Sequence, residues 1–199
     1  MSKAERTKQF IIEKAAPIFN TKGVTGTFIS DLMKATSLKK GGIYGNFESK
    51  DDIALAVFDY IMKQVVDRIR AKAAAQDSMA GKLNGILDFY VEYGIKPPVE
   101  GGCPILNFGA EVDDHEGYPE LKKRVKDAIN TLEHDLMRIV RKGIRVGEFK
   151  EDVNAADFAT KFIVMVEGGI LLTRIQKNQR PLQIAIKALR QDIEAIKVD

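Results

Sequence analysis

Apolar residues along this 199-residue chain return every three or four positions, in runs separated by clusters of glycine, proline and small polar residues. That period belongs to amphipathic helices, and nowhere does strict alternation persist long enough for a strand. The first run, from about Lys3 to Thr21, sets Ile11, Ile12, Ala15 and Phe19 inward, and Gly23 stops it. Pro17 lies inside it and should remove one hydrogen bond and bend the helix. A second run opens at Thr27, a candidate N-cap, with Ile29, Leu32 and Met33 on one side. The chain turns near Thr36-Ser37, Leu38 plugs the space between helices, and a third segment, roughly Lys39 to Phe47, carries Ile43, Tyr44 and Phe47. Ser49-Lys50-Asp51-Asp52 has the capping-box form, so a longer helix starts at about Lys50, with Ile53, Val57, Ile61 and Val65 recurring every fourth residue.

Beyond that helix, a break at Gln76-Asp77-Ser78 precedes another reaching Tyr93. Lys96 to Pro104, rich in proline and glycine, reads as a loop. A short helix follows from about Pro104 to Val112, and a long one after Pro119 carries Leu121, Val125, Ile129, Leu132 and Leu136 up to Gly143. Asn154 to Asp157 is a cap-like start for a helix whose Phe158, Phe162, Met165, Val166 and Gly169 share one side. Pro181 opens the last helix, with Leu182, Ile186, Leu189, Ile193 and Ile196 in four- and three-residue steps. Both seams suit a four-helix interface between subunits, and burial within one domain explains them equally; periodicity does not separate the two. The fold class is all-α: an N-terminal three-helix helix-turn-helix over 1–50, then a helical body over 51–199.

The third segment breaks local rules. Gly41, Gly42 and Gly45 each cost about 1 kcal/mol against alanine in a helix interior. Lys39 and Lys40 sit at the positive end of the helix dipole, where a cation is mildly unfavourable. Glycine permits close approach to another surface, and paired lysines suit phosphate; a solvated glycine-rich turn is the plainer alternative. Lys50, in the first turn of the next helix, faces the same dipole and is a second phosphate candidate. The overall charge of +3 is too small to argue for nucleic acid. Its distribution says more: residues 1–50 hold nine basic against four acidic residues, +5 net, so the remainder is −2. A basic head on a slightly acidic body suits a DNA-reading module.

In order, Ile12, Ala15-Ala16, Phe19, Gly23, Thr27, Asp31-Leu32, Lys40-Gly41, Tyr44, Phe47, Ser49-Lys50 and Ile53 resemble the TetR/AcrR family of bacterial transcriptional regulators. The resemblance is dense over the first quarter of the chain and rests on helical layout alone afterwards. It implies a ligand-responsive homodimer that binds a palindromic double-stranded DNA operator, mostly as a repressor, and is released by a small-molecule effector. It implies phosphate contacts for Thr27 and Lys50 and a DNA-facing helix bearing Lys40, Gly41 and Tyr44. Three departures stand out: Ser37 replaces the usual turn glycine, Lys39 the usual serine cap, and Gly42 and Gly45 side chains that often reach DNA. Lys39, Tyr44 and Asn46 are then the remaining candidates for base contact. The resemblance also tips the two C-terminal seams (Phe158, Phe162, Val166 and Gly169; Leu182, Ile186, Leu189 and Ile193) toward a dimer interface.

Composition excludes several other classes. No stretch approaches the roughly 20 apolar residues of a membrane span, and a polar, charged N-terminus reads as cytoplasmic. A single cysteine rules out an internal disulfide. Cys103, in Gly101-Gly102-Cys103-Pro104, precedes a predicted helix whose dipole favours a thiolate, so a thiol-switched regulator sensing electrophiles or oxidants is an alternative to ligand control. A small buried residue at a loop–helix join is the plainer account. Phe89, Tyr93, Cys103, Phe108, Met137 and Met165 are candidate effector-pocket residues, with core packing as the competing role for the aromatics. His115, among Glu111, Asp113, Asp114 and Glu116, has no recognised ligand spacing and reads as a solvated acidic turn; His134 is exposed or pocket-lining. No metal or other cofactor is expected. With no metalloprotease, nucleophile-elbow, P-loop or dinucleotide-binding motif, a helical enzyme has no sequence support.

Overall fold

The computed structural model describes residues 2–113 and 117–198, and among these the chain forms nine helices. They are α1 (Lys3–Lys22), α2 (Ile29–Thr36), α3 (Lys40–Tyr44), α4 (Lys50–Ala74), α5 (Met79–Ile95), α6 (Pro104–Asp113), α7 (Pro119–Arg145), α8 (Ala155–Gln176) and α9 (Arg180–Ala195). The one β-type pairing among the described residues is an isolated antiparallel bridge between Phe149 and Lys197.

Helix ends follow the local chemistry closely. Ser2 and Glu5 form a complete capping box on α1, satisfying two otherwise free backbone N–H groups. The Ser49 hydroxyl accepts from the Asp52 N–H at 3.0 Å at the start of α4. Asn154 accepts from the N–H groups of Ala156 and Asp157, and Pro181 lies in the first turn of α9, where its missing N–H is harmless. Helix α1 continues through Pro17. The expected cap of α2 is corrected: Phe28, not Thr27, is its N-cap, and the Asp31 carboxylate accepts from the Phe28 N–H at 3.1 Å.

Two compact units pack separately. The first comprises residues 1–64 and 98–126, and the second 65–97 and 127–199. In the first, Ile11, Ala15, Phe19, Leu32, Ile43, Ile53 and Val57 form a core with no solvent exposure. Phe58 of α4 meets Phe108 of α6 edge-on, with ring centroids 5.4 Å apart. In the second, α9 packs along α8 and α5, with Leu182, Ile186, Leu189 and Ile193 all buried. α4 and α7 each contribute to both units. No helix among the described residues is long and apolar enough to cross a membrane.

Candidate nucleic-acid interface

Helix α3 presents its polar surface outward. Ile43 is its buried anchor, while Lys39, Lys40, Gly41, Gly42 and Tyr44 are all exposed. The Lys40 ammonium lies 5.8 Å from the centroid of the Tyr44 ring, so charge and aromatic face sit side by side. A methyl group added at Gly41 would meet nothing within 4 Å. One at Gly42 would reach only the Leu38 side chain, at an ordinary 3.6 Å. Packing inside the molecule therefore requires neither glycine, although each weakens the helix. Lys39, at the N-cap, makes no side-chain capping bond.

Three expected contact residues have other duties. Thr27 is fully buried, and its hydroxyl donates to the Gly23 carbonyl at 2.6 Å, so its side chain does not reach solvent. The Lys50 ammonium donates to the carbonyls of Val24 at 2.8 Å and Thr27 at 3.2 Å, tying the turn before α2 to the start of α4. The Asn46 amide donates to the Gly42 carbonyl at 2.9 Å and closes the end of α3. Thr27, Lys50 and Asn46 shape the surface; Lys39, Lys40, Gly41, Gly42 and Tyr44 form it.

Sequence reasoning missed the residues that brace this head. Glu111 of α6, assigned above to a solvated acidic turn, accepts from the N–H of Val24 at 2.5 Å and from the N–H of Thr25. The turn is thus held through its N–H groups by Glu111 and through its carbonyls by Lys50. Asn20, with 1% exposure, donates to the carbonyls of Glu100 and Gly102, both at 3.0 Å. Asn107 donates in turn to the Asn20 side-chain oxygen at 3.0 Å and to the Gly101 carbonyl at 2.8 Å. Gly101 has φ 120°, and a Cβ there would stand 2.4 Å from the Asn20 carbonyl oxygen, so glycine is required. The signal for this clamp was faint: an asparagine on the apolar side of α1, whose partners lie 80 or more residues away. Beside α2, the Lys22 ammonium bonds Asp31 at 2.8 Å and, with the Phe28 N–H, holds the Asp31 carboxyl below its usual range.

The remaining candidates scatter. Cys103 and Phe108 belong to the first unit and are buried there; Phe89, Tyr93, Met137 and Met165 belong to the second. None of the six lines the interhelical cavity of the second unit. Phe89 and Tyr93 instead pack against each other with their rings tilted, centroids 5.5 Å apart, as core. The proposed dimer seams are also corrected. Phe158, Phe162, Val166, Gly169, Leu182, Ile186, Leu189 and Ile193 are all buried within one chain, where the α8–α9 contact covers them. Burial inside the domain, the alternative left open by periodicity, is the arrangement found. The turn around His115 lies outside the described residues.

A two-helix turn carrying an exposed basic helix on a braced three-helix head defines a helix-turn-helix DNA-binding regulator. Residues 11–57 match the bacterial regulatory proteins of the tetR family, and residues 80–189 match the tetracyclin repressor-like C-terminal domain. The chain belongs to the TetR family of transcriptional regulators. It is similar over its whole length to a TetR-family regulator from Cytophaga hutchinsonii, at 39% identity, covering 98% of that chain with a TM-score of 0.92. A TetR regulator from Chloroflexus aurantiacus is 36% identical, with full coverage of both chains and a TM-score of 0.93. Among curated relatives, the HTH-type transcriptional repressor DhaR of a Mycobacterium species is 23% identical over 88% of this chain and 86% of its own. The fold and family are those of DNA-binding regulators and not of enzymes.

Proposed function

We propose that this chain is a repressor that binds a palindromic operator as a homodimer, with residues 1–50 as its reading head, and is released by a small-molecule effector held in the body formed by residues 51–199. One observation carries the DNA-facing assignment: Gly41 and Gly42 are exposed in a helix they weaken, and nothing among the described residues uses their missing side chains. A closely approaching phosphate backbone and base edges would use them, with Lys39 and Lys40 as the charges and Tyr44 as the group able to enter a groove. Lys50 and Thr27 support the head from within.

A second copy would dock on the outer face of α8 and α9. Val164, Gly168, Leu171 and Ile175 follow steps of four, three and four along α8, and the three apolar side chains are 64%, 43% and 68% exposed. Ile184 of α9 adds a 57% exposed apolar group. An apolar stripe of this kind on a small domain marks an association surface. Symmetric pairing would supply two recognition helices, and both dock in successive major grooves when about 34–36 Å apart. The effector acts by binding better to a state that departs from that spacing.

The test uses an operator obtained by in vitro selection and fluorescence anisotropy across a salt series. Affinity should fall steeply as salt rises, and Lys40→Ala should lower the slope by about one. Gly41→Ala should stabilise the protein by up to about 1 kcal/mol and still weaken operator binding. Undiminished binding by Gly41→Ala would remove α3 from the interface.

A further inference from the structure

What α3 can read in a major groove depends on which of its positions point away from the protein. At about 100° per residue, the positions two before and two after the buried Ile43 lie nearly opposite it, and these are Gly41 and Gly45. The part of the helix that reaches deepest into a groove therefore carries no side chain. The space at Gly41 is open, since a Cβ there would meet nothing within 4 Å. Tyr44, three residues on and so a neighbour of Gly41 on the helix surface, borders this gap and is 36% exposed. On the other flank the Asn46 amide is committed to the Gly42 carbonyl at 2.9 Å. The Gly41 carbonyl is itself taken, accepting from the Gly45 N–H at 2.9 Å. The result is a notch of methyl size beside an exposed aromatic residue, with no side-chain donor or acceptor on its floor.

The floor of the major groove offers hydrogen-bond donors and acceptors at every base pair, and one apolar group, the C5-methyl of thymine. Pressing a guanine, adenine or cytosine edge onto the notch would take a polar group from water and give it no partner. A methyl group loses nothing by the same move and gains apolar contact. We propose that a thymine in each operator half-site is recognised by its C5-methyl, seated against the Gly41 Cα beside the Tyr44 ring. This rests on the DNA-binding regulator described above, with α3 in the major groove, and names a base that it reads.

The assignment divides the work on α3. Lys39 and Lys40 attract phosphate, which positions the head and carries no sequence information. Gly41 and Tyr44 supply discrimination by shape. An alanine at position 41 would place its own methyl where the thymine methyl belongs, so the helix keeps a glycine that its stability disfavours.

Removing the methyl from the DNA tests this. In the operator obtained by in vitro selection, each thymine of a half-site is replaced in turn by deoxyuridine, which keeps the pairing edge and lacks the methyl. Fluorescence anisotropy at fixed salt gives the affinity of the full-length protein for each duplex. At one position the loss should be about fourfold for each half-site altered, the worth of one buried methyl-sized group. Gly41→Ala should reverse the preference at that position, binding the deoxyuridine duplex at least threefold tighter than the thymine duplex, and should leave the ratio unchanged at every other thymine. Effects of deoxyuridine on the DNA itself are common to both proteins and cancel in this comparison. Tyr44→Ala should bring the same ratio towards one, and it decides the matter should Gly41→Ala not fold. Half-sites without thymine, no position sensitive to the methyl, or a ratio that neither variant alters would overturn the proposal. Sequence-selective binding that ignores the methyl sinks this inference alone, and the absence of selective binding sinks the regulator assignment.

Discussion

Ser37 shows how single residues in the head depart from what stability alone would choose. It sits at the C-cap of α2 with φ 58° and ψ 17°, the left-handed conformation that favours glycine. A non-glycine residue there costs on the order of 1 kcal/mol. Replacing Ser37 by Gly should therefore raise the unfolding free energy by about 0.5–1 kcal/mol, read from urea denaturation, with operator affinity unchanged. A loss of stability would mean that the greater freedom of glycine in the unfolded chain outweighs the relief of strain. Gly41 departs in the opposite sense: its backbone is ordinary helix, and its cost has no internal offset. One residue is strained where glycine belongs, and the other is glycine where none is needed inside. Only the second points to an outside partner.

At the scale of elements, α6 behaves as a brace for the α1–α2 turn. Its Glu111 carboxylate serves the N–H groups of Val24 and Thr25, and its Asn107 joins the Asn20 clamp on the 98–104 loop. Losing the acceptor strands one buried and one exposed N–H, at a cost of about 1–3 kcal/mol for the buried one. Glu111→Ala should accordingly speed amide hydrogen exchange at Val24 and Thr25 well above that of the α4 core, and weaken operator binding. Unchanged protection at both amides would show that Lys50 alone holds the turn. The helices themselves were largely legible in the sequence, since caps such as Ser49 and Asn154 act through neighbours two or three residues away. The brace was not, because Glu111 and Val24 lie 87 residues apart and no local pattern joins them.

For the whole molecule, the exposed apolar face of α8 is where the proposed second copy would dock. Val164 and Ile175 are 64% and 68% exposed on one face of α8, whereas Phe162, two residues from Val164, is 1% exposed on the other. Val164→Glu combined with Ile175→Glu should give a monomer by sedimentation velocity with its helical circular dichroism intact, and should sharply reduce operator affinity. Phe162→Glu should instead unfold the second unit, because it buries an unpaired charge. A double variant that still sediments as a dimer would move the subunit contact elsewhere.

The sequence by itself determined the all-helical class, the helix-turn-helix order, most helix starts and the exposed basic third helix. Those features rest on periodicity, capping and backbone propensity, which act within a few residues. It also marked Lys50 and Thr27 as important positions without revealing that they face inward. Tertiary structure alone decided their roles, the Glu111 brace, and which side of α8 lies inside. An apolar stripe on a helix registers that something must cover it. Whether the cover is α9 of the same chain or a second molecule depends on packing between distant elements, and a helical period carries no record of that choice.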